Sequence, residues 1–349
     1  MKLKYLSIML GGFFWLLFSV FSTTSFASEP WSMPATPLPM RELFENLSYV
    51  RGESYSQPGD QGWPREIEYQ RRVIDYHSDS SKVESNTFRL ERAPQKIIPH
   101  AVGISEILWA ICSRNRLLMF NKVATDPRFS MIAKELAATQ RIFSSKESEL
   151  IIAAQPDLVL TVIFSDAVFK QRLRQAGIPT LDLGAPDSLE SVIKEIKLLG
   201  EILGEEANAE ALLQIIDHQQ TLLQASLPPR KKPLRLLYYD MGGYIPGLTS
   251  NFTSLCKLVG AINVGAEQGI NSWRQIDHET LLKWDPDIII VPLESKLGDN
   301  LQKDPLLRHS RALKNGKLMP IPGLYLRTNS QFLLLSANLL AGIIYPDAY

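Results

Sequence analysis

The sequence predicts an α/β protein with two Rossmann-like lobes of mainly parallel sheets, joined by a long interdomain helix. One segment occurs twice: residues 149–160 and 279–290 each read as a short acid-led helix, a Pro-Asp turn and a strand. Proline cannot continue a helix, and an apolar run without alternation is typical of a parallel strand covered on both faces. Two copies indicate two similar lobes, and a cleft between lobes is a usual place for a small ligand.

Strands and helices alternate through the first lobe, which is the pattern of a parallel sheet with helices on both faces. A hairpin of two short strands, residues 69–77 and 85–90, leads into this lobe. The later strands are predicted at residues 96–100, 117–120, 157–163 and 180–183, with helices from Ser105 and over residues 169–176.

The stretch between the lobes is helical. Apolar residues recur at helical spacing over residues 189–226, with one break near Gly204. If residues 206–226 form one helix, it measures roughly 30 Å at about 1.5 Å per residue. A strand at residues 234–239 then opens the second lobe, and a helix at 329–344 ends it. A helical crossover permits little movement, so we expect the cleft to be largely preformed.

An export signal is predicted at the N-terminus. Lys2 and Lys4 precede an apolar stretch over residues 5–21, and Ser25-Phe26-Ala27 offers small residues at the two positions that a signal peptidase reads. The alternative is an uncleaved membrane anchor, for which about 17 apolar residues is marginal. The predicted organisation is a signal peptide (1–27), an extension of unknown role (28–68), an N-terminal lobe (69–188), a helical linker (189–228) and a C-terminal lobe (229–349). The extension is expected to be loosely ordered, or packed on the surface without its own core.

Charge and motifs argue against two broad classes of protein. The chain has 37 basic and 37 acidic residues, and without Lys2 and Lys4 the balance is near −2, which argues against a nucleic-acid-binding surface. No Gly-rich phosphate loop with lysine and no Gly-x-Ser-x-Gly elbow occurs, and His278-Glu279 lacks a second histidine at the metalloprotease spacing. We therefore expect no enzyme, no catalytic residues and no protein metal site.

Several motifs, taken in order, resemble the helix-linked (class III) periplasmic binding proteins of ABC importers for iron-siderophore complexes, haem and cobalamin. Residues 92–98 resemble the opening strand of that family, with Lys96 where arginine is usual. The two repeated segments resemble its signature segments. Residues 259–265 resemble its Ala-Gly-Gly-x-Asn turn, with Ala261 in place of the second glycine. The resemblance extends over residues 69–349, and residues 28–68 have no counterpart in it.

The resemblance implies a periplasmic solute-binding protein that captures a metal chelate in the cleft and delivers it to an ABC permease with its ATPase subunits. It implies a monomer without a cofactor. A ferric siderophore is the leading ligand, haem and cobalamin are alternatives, and a secreted chelatase-like enzyme is a further one. Glu149 and Glu279 match the positions where the family presents an acid to permease arginines, and an acid near a helix N-terminus also stabilises the helix.

Ligand contacts are expected in the loops after the carboxyl ends of the strands. Aromatic surface with arginine, tyrosine and histidine groups suits a bulky planar or chelated ligand. The candidates are His100, Asn121, Lys122 and Phe164 in the first lobe, and Tyr239, Tyr244, Trp273, Arg274, Tyr325 and Arg327 in the second. The same loops carry Asp240 and Glu294. On haem, His100, Tyr244 or Tyr325 could bind the iron. Otherwise His100 is a capping or loop residue, and Tyr239 could point into the sheet.

Overall fold

The computed structural model describes residues 31–48, 62–75, 80–136, 141–184, 186–229 and 231–349. Residues Ala35–Tyr349 form one compact unit. The predicted signal peptide lies outside the described residues. Within the described ranges, no helix combines the length and the apolar character needed to cross a bilayer.

The first lobe is a parallel sheet flanked by helices, preceded by a helix and a hairpin. Its elements are α1 (Met40–Ser48), β1 (Arg65–Asp75), β2 (Ser80–Leu90), β3 (Ile97–Pro99), α2 (Val102–Ile111), β4 (Met119–Asn121), α3 (Ala133–Leu136), β5 (Arg141–Phe143), α4 (Ser148–Ala154), β6 (Leu158–Thr161), α5 (Ala167–Gln175) and β7 (Thr180–Asp182). Strands β3, β6 and β7 pair in that order, β4 pairs with β5, and an Ile97–Leu117 bridge joins the two groups. Ile98, Val159 and Phe169 lie in the core of this lobe.

The second lobe repeats the architecture. Its elements are β8 (Arg235–Tyr238), β9 (Tyr244–Pro246), α8 (Asn251–Leu258), β10 (Ile262–Asn263), α9 (Val264–Glu267), β11 (Trp273–Gln275), α10 (His278–Trp284), β12 (Ile288–Pro292), α11 (Leu297–Lys303), α12 (Arg311–Lys314), β13 (Leu318–Ile321), α13 (Gly323–Arg327) and α14 (Leu333–Ile344), after the linker helices α6 (Leu189–Leu203) and α7 (Glu206–Ser226). The parallel sheet has the order β10-β8-β12-β13, and β9 pairs with β11. Single 3₁₀ turns occur at Arg114–Arg116, Lys122–Thr125, Met241–Gly243, Leu307–His309 and Pro346–Ala348. The predicted α/β fold with two lobes is confirmed.

The linker breaks where the sequence predicted. Helix α6 ends at Gly204, whose φ of 70° is a left-handed conformation that glycine adopts at little cost. Helix α7 then runs without interruption from Glu206 to Ser226. At its start, α6 is capped by Ser188, whose hydroxyl accepts a hydrogen bond from the Ser191 amide.

The two repeated segments share a backbone conformation and a use for their aspartate. Gln155 and Asp285 end helices α4 and α10 at φ 48° and 42°, directly before the prolines. The following carboxylates anchor the start of the adjacent strand. Asp157 Oδ2 accepts from the amides of Gln95 at 2.8 Å and Lys96 at 3.1 Å, and Asp287 Oδ2 accepts from Arg235 at 2.8 Å. The Pro-Asp turn therefore ties each repeated strand to its neighbour before the sheet ladder begins.

The hairpin is longer than predicted. Strand β1 begins at Arg65, inside the predicted extension, and β2 begins at Ser80. The middle of the hairpin is held on the first lobe by ion pairs from Arg71 to Asp182 and from Arg72 to Asp187, both at 3.1 Å. Its turn lies outside the described residues. Within the extension itself, residues 40–48 form α1, which packs on α2, α7 and α14.

A buried ion pair ties the linker to the first lobe. Arg116 is 1% exposed, and its Nη1 lies 2.6 Å from Glu205 Oε1, next to the linker break. The remaining guanidinium nitrogens donate to the carbonyl oxygens of Pro94 and Leu203 at 2.7–2.9 Å. Asn208 Nδ2 donates to the other oxygen of Glu205 at 2.7 Å. Every polar group at this buried junction is therefore satisfied.

We predict that Arg116→Ala destabilises the protein by about 3–5 kcal/mol, because the substitution leaves the Glu205 carboxylate buried and unpaired. Urea unfolding followed by circular dichroism measures the change. Arg174→Ala, at an exposed arginine, is the matched control and should stay within about 0.5 kcal/mol of wild type. Equal stability of the two variants would contradict the assigned role of the pair.

Candidate ligand-binding cleft

The lobes contact each other directly through α2 of the first lobe and the segment before α14. Ser330 Oγ donates to Glu106 Oε2 at 2.5 Å, and Gln331 Nε2 donates to the Glu106 carbonyl oxygen at 2.9 Å. The Met131 amide donates to the other oxygen of Glu106 at 2.8 Å. A Cβ at Gly103 would overlap Asn329, so the close contact between α2 and this segment requires glycine at this position.

Burial governs the protonation of Glu106. The side chain is 2% exposed, and burial raises its pKa to about 7 against the lowering effect of its hydrogen bonds. On linker helix α6, burial alone raises the pKa of Glu195 to about 8. Both carboxyls therefore titrate near neutral pH.

Arg327 belongs to a polar network in the second lobe. Its Nη2 lies 3.1 Å from Asp240 Oδ1, and the Tyr238 hydroxyl donates to Asp240 Oδ2 at 2.6 Å. Desolvation lowers the pKa of Arg327, but Tyr238, Asp240 and Glu294 together raise it above its ordinary value. Among the described residues, Arg327 donates hydrogen bonds through Nη2, and its Nη1 lies close to Gly323. That Arg327 contacts a ligand remains a prediction.

A second acidic residue, Glu294, lies near this network. Its Oε1 and Oε2 accept from the Gly323 amide at 3.1 and 3.0 Å. The pKa of Arg128, in the first lobe, is raised chiefly by its hydrogen bonds to Asp126 and further by Glu294. The charge of Glu294 therefore acts on a residue of the other lobe.

The four first-lobe candidates differ in accessibility. His100 is 7% exposed; its Nδ1 lies 2.9 Å from Ser165 Oγ, and its ring packs 4.4 Å from Phe169. Burial lowers its pKa to about 4, so the imidazole is neutral at physiological pH. Asn121, also buried, donates to the His100 carbonyl oxygen and to Ser145 Oγ. Lys122 and Phe164 are exposed. That a ligand contacts His100 or Asn121 remains a prediction.

Three of the second-lobe candidates, Tyr244, Trp273 and Arg274, lie on strands β9 and β11. Tyr244 pairs with Gln275, and Trp273 is half-buried with its ring edge-on to Tyr238 at 6.0 Å. Arg274 is exposed and, as the next residue of the same strand, points to the opposite face from Trp273. Those two candidates therefore cannot line one surface together. Tyr325 is half-buried on α13, and burial raises its pKa.

Glu279 stands at the edge of a cavity of about 710 Å³, which is lined by Tyr239, Gly242, Gln275, Ile276, Asp277, His278, Glu279, Asp304 and Leu306. His278 Nδ1 pairs with Asp304, and the ring of Tyr239 lies 5.9 Å from that of His278. Tyr239 is 4% exposed. The three carboxylates make this rim acidic.

Glu149 has a different setting. Its side chain is 74% exposed and lies 2.6 Å from Arg172 Nη1, on the next helix of the first lobe. Both acids occupy the first turn of their helices, as expected. The two positions are thus equivalent in the fold, but they present different surfaces.

Two residues of this region were missed by the sequence reasoning, Arg128 and Glu106. Arg128 lies between short turns, where no strand end marks it as a cleft residue. Glu106 lies in an apolar helix, and a charge within an apolar run was the available signal. In the described residues no group of three or more histidine, cysteine or carboxylate side chains could hold a metal ion.

A model of the periplasmic binding protein family matches residues 139–323, more than half of the chain. The chain belongs to the periplasmic binding protein family. It is therefore a binding protein that carries a ligand, which confirms the prediction that it is not an enzyme and has no cofactor of its own. The matched range includes both repeated segments.

Two relatives of this binding protein are named for a ligand or for a role in transport. A cobalamin-binding protein of Halobacterium salinarum is 22% identical over 210 residues, which cover 59% of this chain and 56% of the relative. The match thus spans little more than half of that relative. An uncharacterised ABC transporter substrate-binding lipoprotein of Bacillus subtilis, YvrC, is 24% identical over 270 residues, 74% of this chain and 83% of the relative.

The fold of the binding protein is also that of a solved structure. The periplasmic heme-binding protein RhuT of Roseiflexus, in its apo form, superposes with a TM-score of 0.63 at 20% identity. The superposition covers 73% of this chain and 99% of RhuT.

We predict that stability falls as pH rises from about 6.5 to 8.5. The folded pKa values of Glu106 and Glu195 lie above the ordinary value of 4.5, so the folded protein binds more protons than the unfolded chain in this window. The free energy of unfolding should fall by about 2 kcal/mol for Glu195 and about 1 kcal/mol for Glu106. The lowered pKa of His100 affects stability only below its ordinary value of 6.5, because above that pH the imidazole is neutral in both the folded and the unfolded protein.

Urea unfolding at a series of pH values provides the measurement. Glu195→Gln should reduce the fall to the part of about 1 kcal/mol that comes from Glu106, because the amide does not titrate and its burial costs the same free energy at every pH. Glu190→Gln, an exposed position on the same helix, should leave it as in wild type. If the free energy of unfolding of Glu195→Gln depends on pH as it does in wild type, the prediction is wrong.

Proposed function

We propose that the protein is the extracytoplasmic substrate-binding component of an ABC importer, which captures a metal chelate between its lobes and delivers it to a permease with its ATPase subunits. The family match across both repeated segments carries this proposal. The description of YvrC as an ABC transporter substrate-binding lipoprotein supports it. We also propose export through residues 1–27, cleavage before Ser28 and action as a monomer.

The ligand is proposed to be a chelate whose metal is already saturated, with a ferric siderophore as the leading candidate. In the described residues no set of side chains is arranged to hold a metal, and both ring nitrogens of His100 lie near partners within its own lobe. A saturated chelate needs only outer contacts. Aromatic rings and arginine forks supply these for bulky ligands with carboxylates.

Cobalamin is the second candidate, favoured by the description of the Halobacterium relative. It too has a saturated metal and a large, partly apolar surface. Haem would require Tyr244 or Tyr325 on its iron, since the half-buried tyrosines are more accessible than His100.

The visible spectrum of protein purified from cells grown with each chelate tests the proposal. We expect a charge-transfer band of a ferric chelate that remains after desalting, and chemically unchanged ligand after extraction. A corrinoid spectrum would instead assign cobalamin, and a Soret band would assign haem. Recovery of chemically altered ligand after many equivalents would contradict a transport function.

We predict that Arg327→Lys weakens ligand binding by about tenfold. Lysine keeps the charge beside Asp240 but cannot present the planar fork that binds a carboxylate through two parallel hydrogen bonds. Titration of tryptophan fluorescence with the chelate measures the affinity, and Arg174→Lys is the matched control. Equal affinities of wild type and Arg327→Lys would exclude Arg327 from the ligand contacts.

Glu149 and Glu279 are proposed to orient the protein on the permease. Both are exposed, one per lobe, at equivalent positions of the repeat. An exposed ion pair alone is worth little, but two acids at a set separation can fix orientation on a two-fold partner.

We predict that Glu149→Ala or Glu279→Ala reduces uptake into cells while ligand affinity is retained, and that the double variant nearly abolishes uptake. Glu190→Ala, which also removes an exposed acid from the first turn of a helix, should leave uptake unchanged. The docking assignment fails if the double variant takes up ligand normally or loses ligand binding.

A further inference from the structure

Residues 35–48 lie across three parts of the fold. Helix α1 packs on α2 of the first lobe, on α7 of the linker and on α14 of the second lobe. Within the described ranges, the chain passes from the first lobe to the second through α6 and α7. This N-terminal segment is therefore placed to connect the two lobes through noncovalent contacts, in addition to the linker helices.

The apolar face of α1 is fully used in these contacts. Leu43 is 2% exposed and Leu47 is 0% exposed. The ring of Phe44 stacks on that of Phe332, at the start of α14, with centroids 5.4 Å apart and planes inclined by 16°. The opposite face carries Arg41 and Glu45, which pair at 3.0 Å. The helix is amphipathic, and its apolar side is covered by both lobes and the linker.

Two amides of the second lobe hold the segment by its backbone. Asn338, on α14, accepts from the Leu38 amide at 2.9 Å and donates to the Leu38 carbonyl oxygen at 2.8 Å. Gln331 Nε2 donates to the Leu47 carbonyl oxygen at 3.2 Å and to that of Glu106 at 2.9 Å. One side chain of the second lobe thus binds α1 and the first lobe together.

The surface of α14 is also shaped for this segment. A Cβ at Gly342 would overlap the carbonyl oxygen of Ala35, and the three atoms nearest to it all belong to Ala35 and Thr36. Glycine in a helix is otherwise unfavourable relative to alanine. Its presence in α14 permits close contact with residues 35 and 36.

We propose that residues 35–48 form a strap that restrains the two lobes at the back of the cleft and slows ligand release. The strap joins α14 to the Glu106–Ser330 contact, where the lobes touch, so its detachment loosens that contact. The ligand-release part of the proposal rests on the proposed binding function. The restraint itself does not, because it concerns the lobes of the free protein.

Gly342→Ala tests the strap selectively, because the added methyl group meets only strap atoms among its nearest neighbours. Gly298→Ala is the matched control, since a Cβ there meets only side chains at ordinary distances of 3.6 and 3.9 Å. Phe44→Ala is the second variant, and it removes the ring stack without changing α14. Glu42→Ala, on the exposed side of α1, is its control.

Hydrogen exchange of the free protein, read by mass spectrometry, gives the first measurement. In Gly342→Ala and Phe44→Ala, we expect faster exchange in α1 and also in α2 and residues 328–331, with the sheet strands unchanged. The controls should match wild type. If exchange rises in α1 alone, the segment is a passive appendage and the strap is excluded.

Stopped-flow release of a bound ferric chelate gives the second measurement. The release rate should rise about tenfold in Phe44→Ala, equivalent to about 1.4 kcal/mol of lost restraint. An unchanged release rate, with faster exchange at the lobe contact, would overturn the link to ligand release. If the protein binds no chelate, the exchange result still decides whether the lobes are restrained, and only the proposed function fails.

Discussion

The position of the second lobe depends on the buried pairing of Arg116 with Glu205. The pair sits where the chain leaves α6 and turns into α7, and it holds that turn to the carbonyl oxygen of Pro94, just before the first sheet strand. A buried ion pair stabilises little by itself, but its geometry is demanding. The direction of α7, and with it the orientation of everything that follows, is therefore set by a guanidinium whose three nitrogens all form hydrogen bonds.

The two repeated segments share a backbone design, whereas their surfaces have diverged. Each ends its helix in a left-handed residue before proline and uses the next aspartate to hold the neighbouring strand. Around Glu279 the surface is concave and acidic, while Glu149 is paired with Arg172 on an open face. A partner that contacts both lobes meets two different surfaces, so pseudosymmetry of the fold does not make the two ends interchangeable.

Much of the fold could be predicted because its signals are local. The Pro-Asp turns, the apolar strands and Gly204 each act within a few residues. The cleft was less predictable, because its contacts join distant positions: Arg327 and Asp240 are 87 residues apart, and Glu106 and Ser330 are 224 apart. The inward position of His100 depends on Ser165 and Phe169, which no spacing rule links to it. Helix α1 could not be foreseen as a shared element, because its burial comes from three elements far along the chain.

The bond between Leu38 and Asn338 spans 300 residues. It cannot form until almost the whole chain is available, so it is among the last contacts that become possible during synthesis. Contacts of such separation are slow to form, because a long loop must close first. Residues 35–48 therefore lack these partners until α14 has been synthesised. A late contact of this kind is compatible with the proposed export, in which the polypeptide crosses a membrane before it folds.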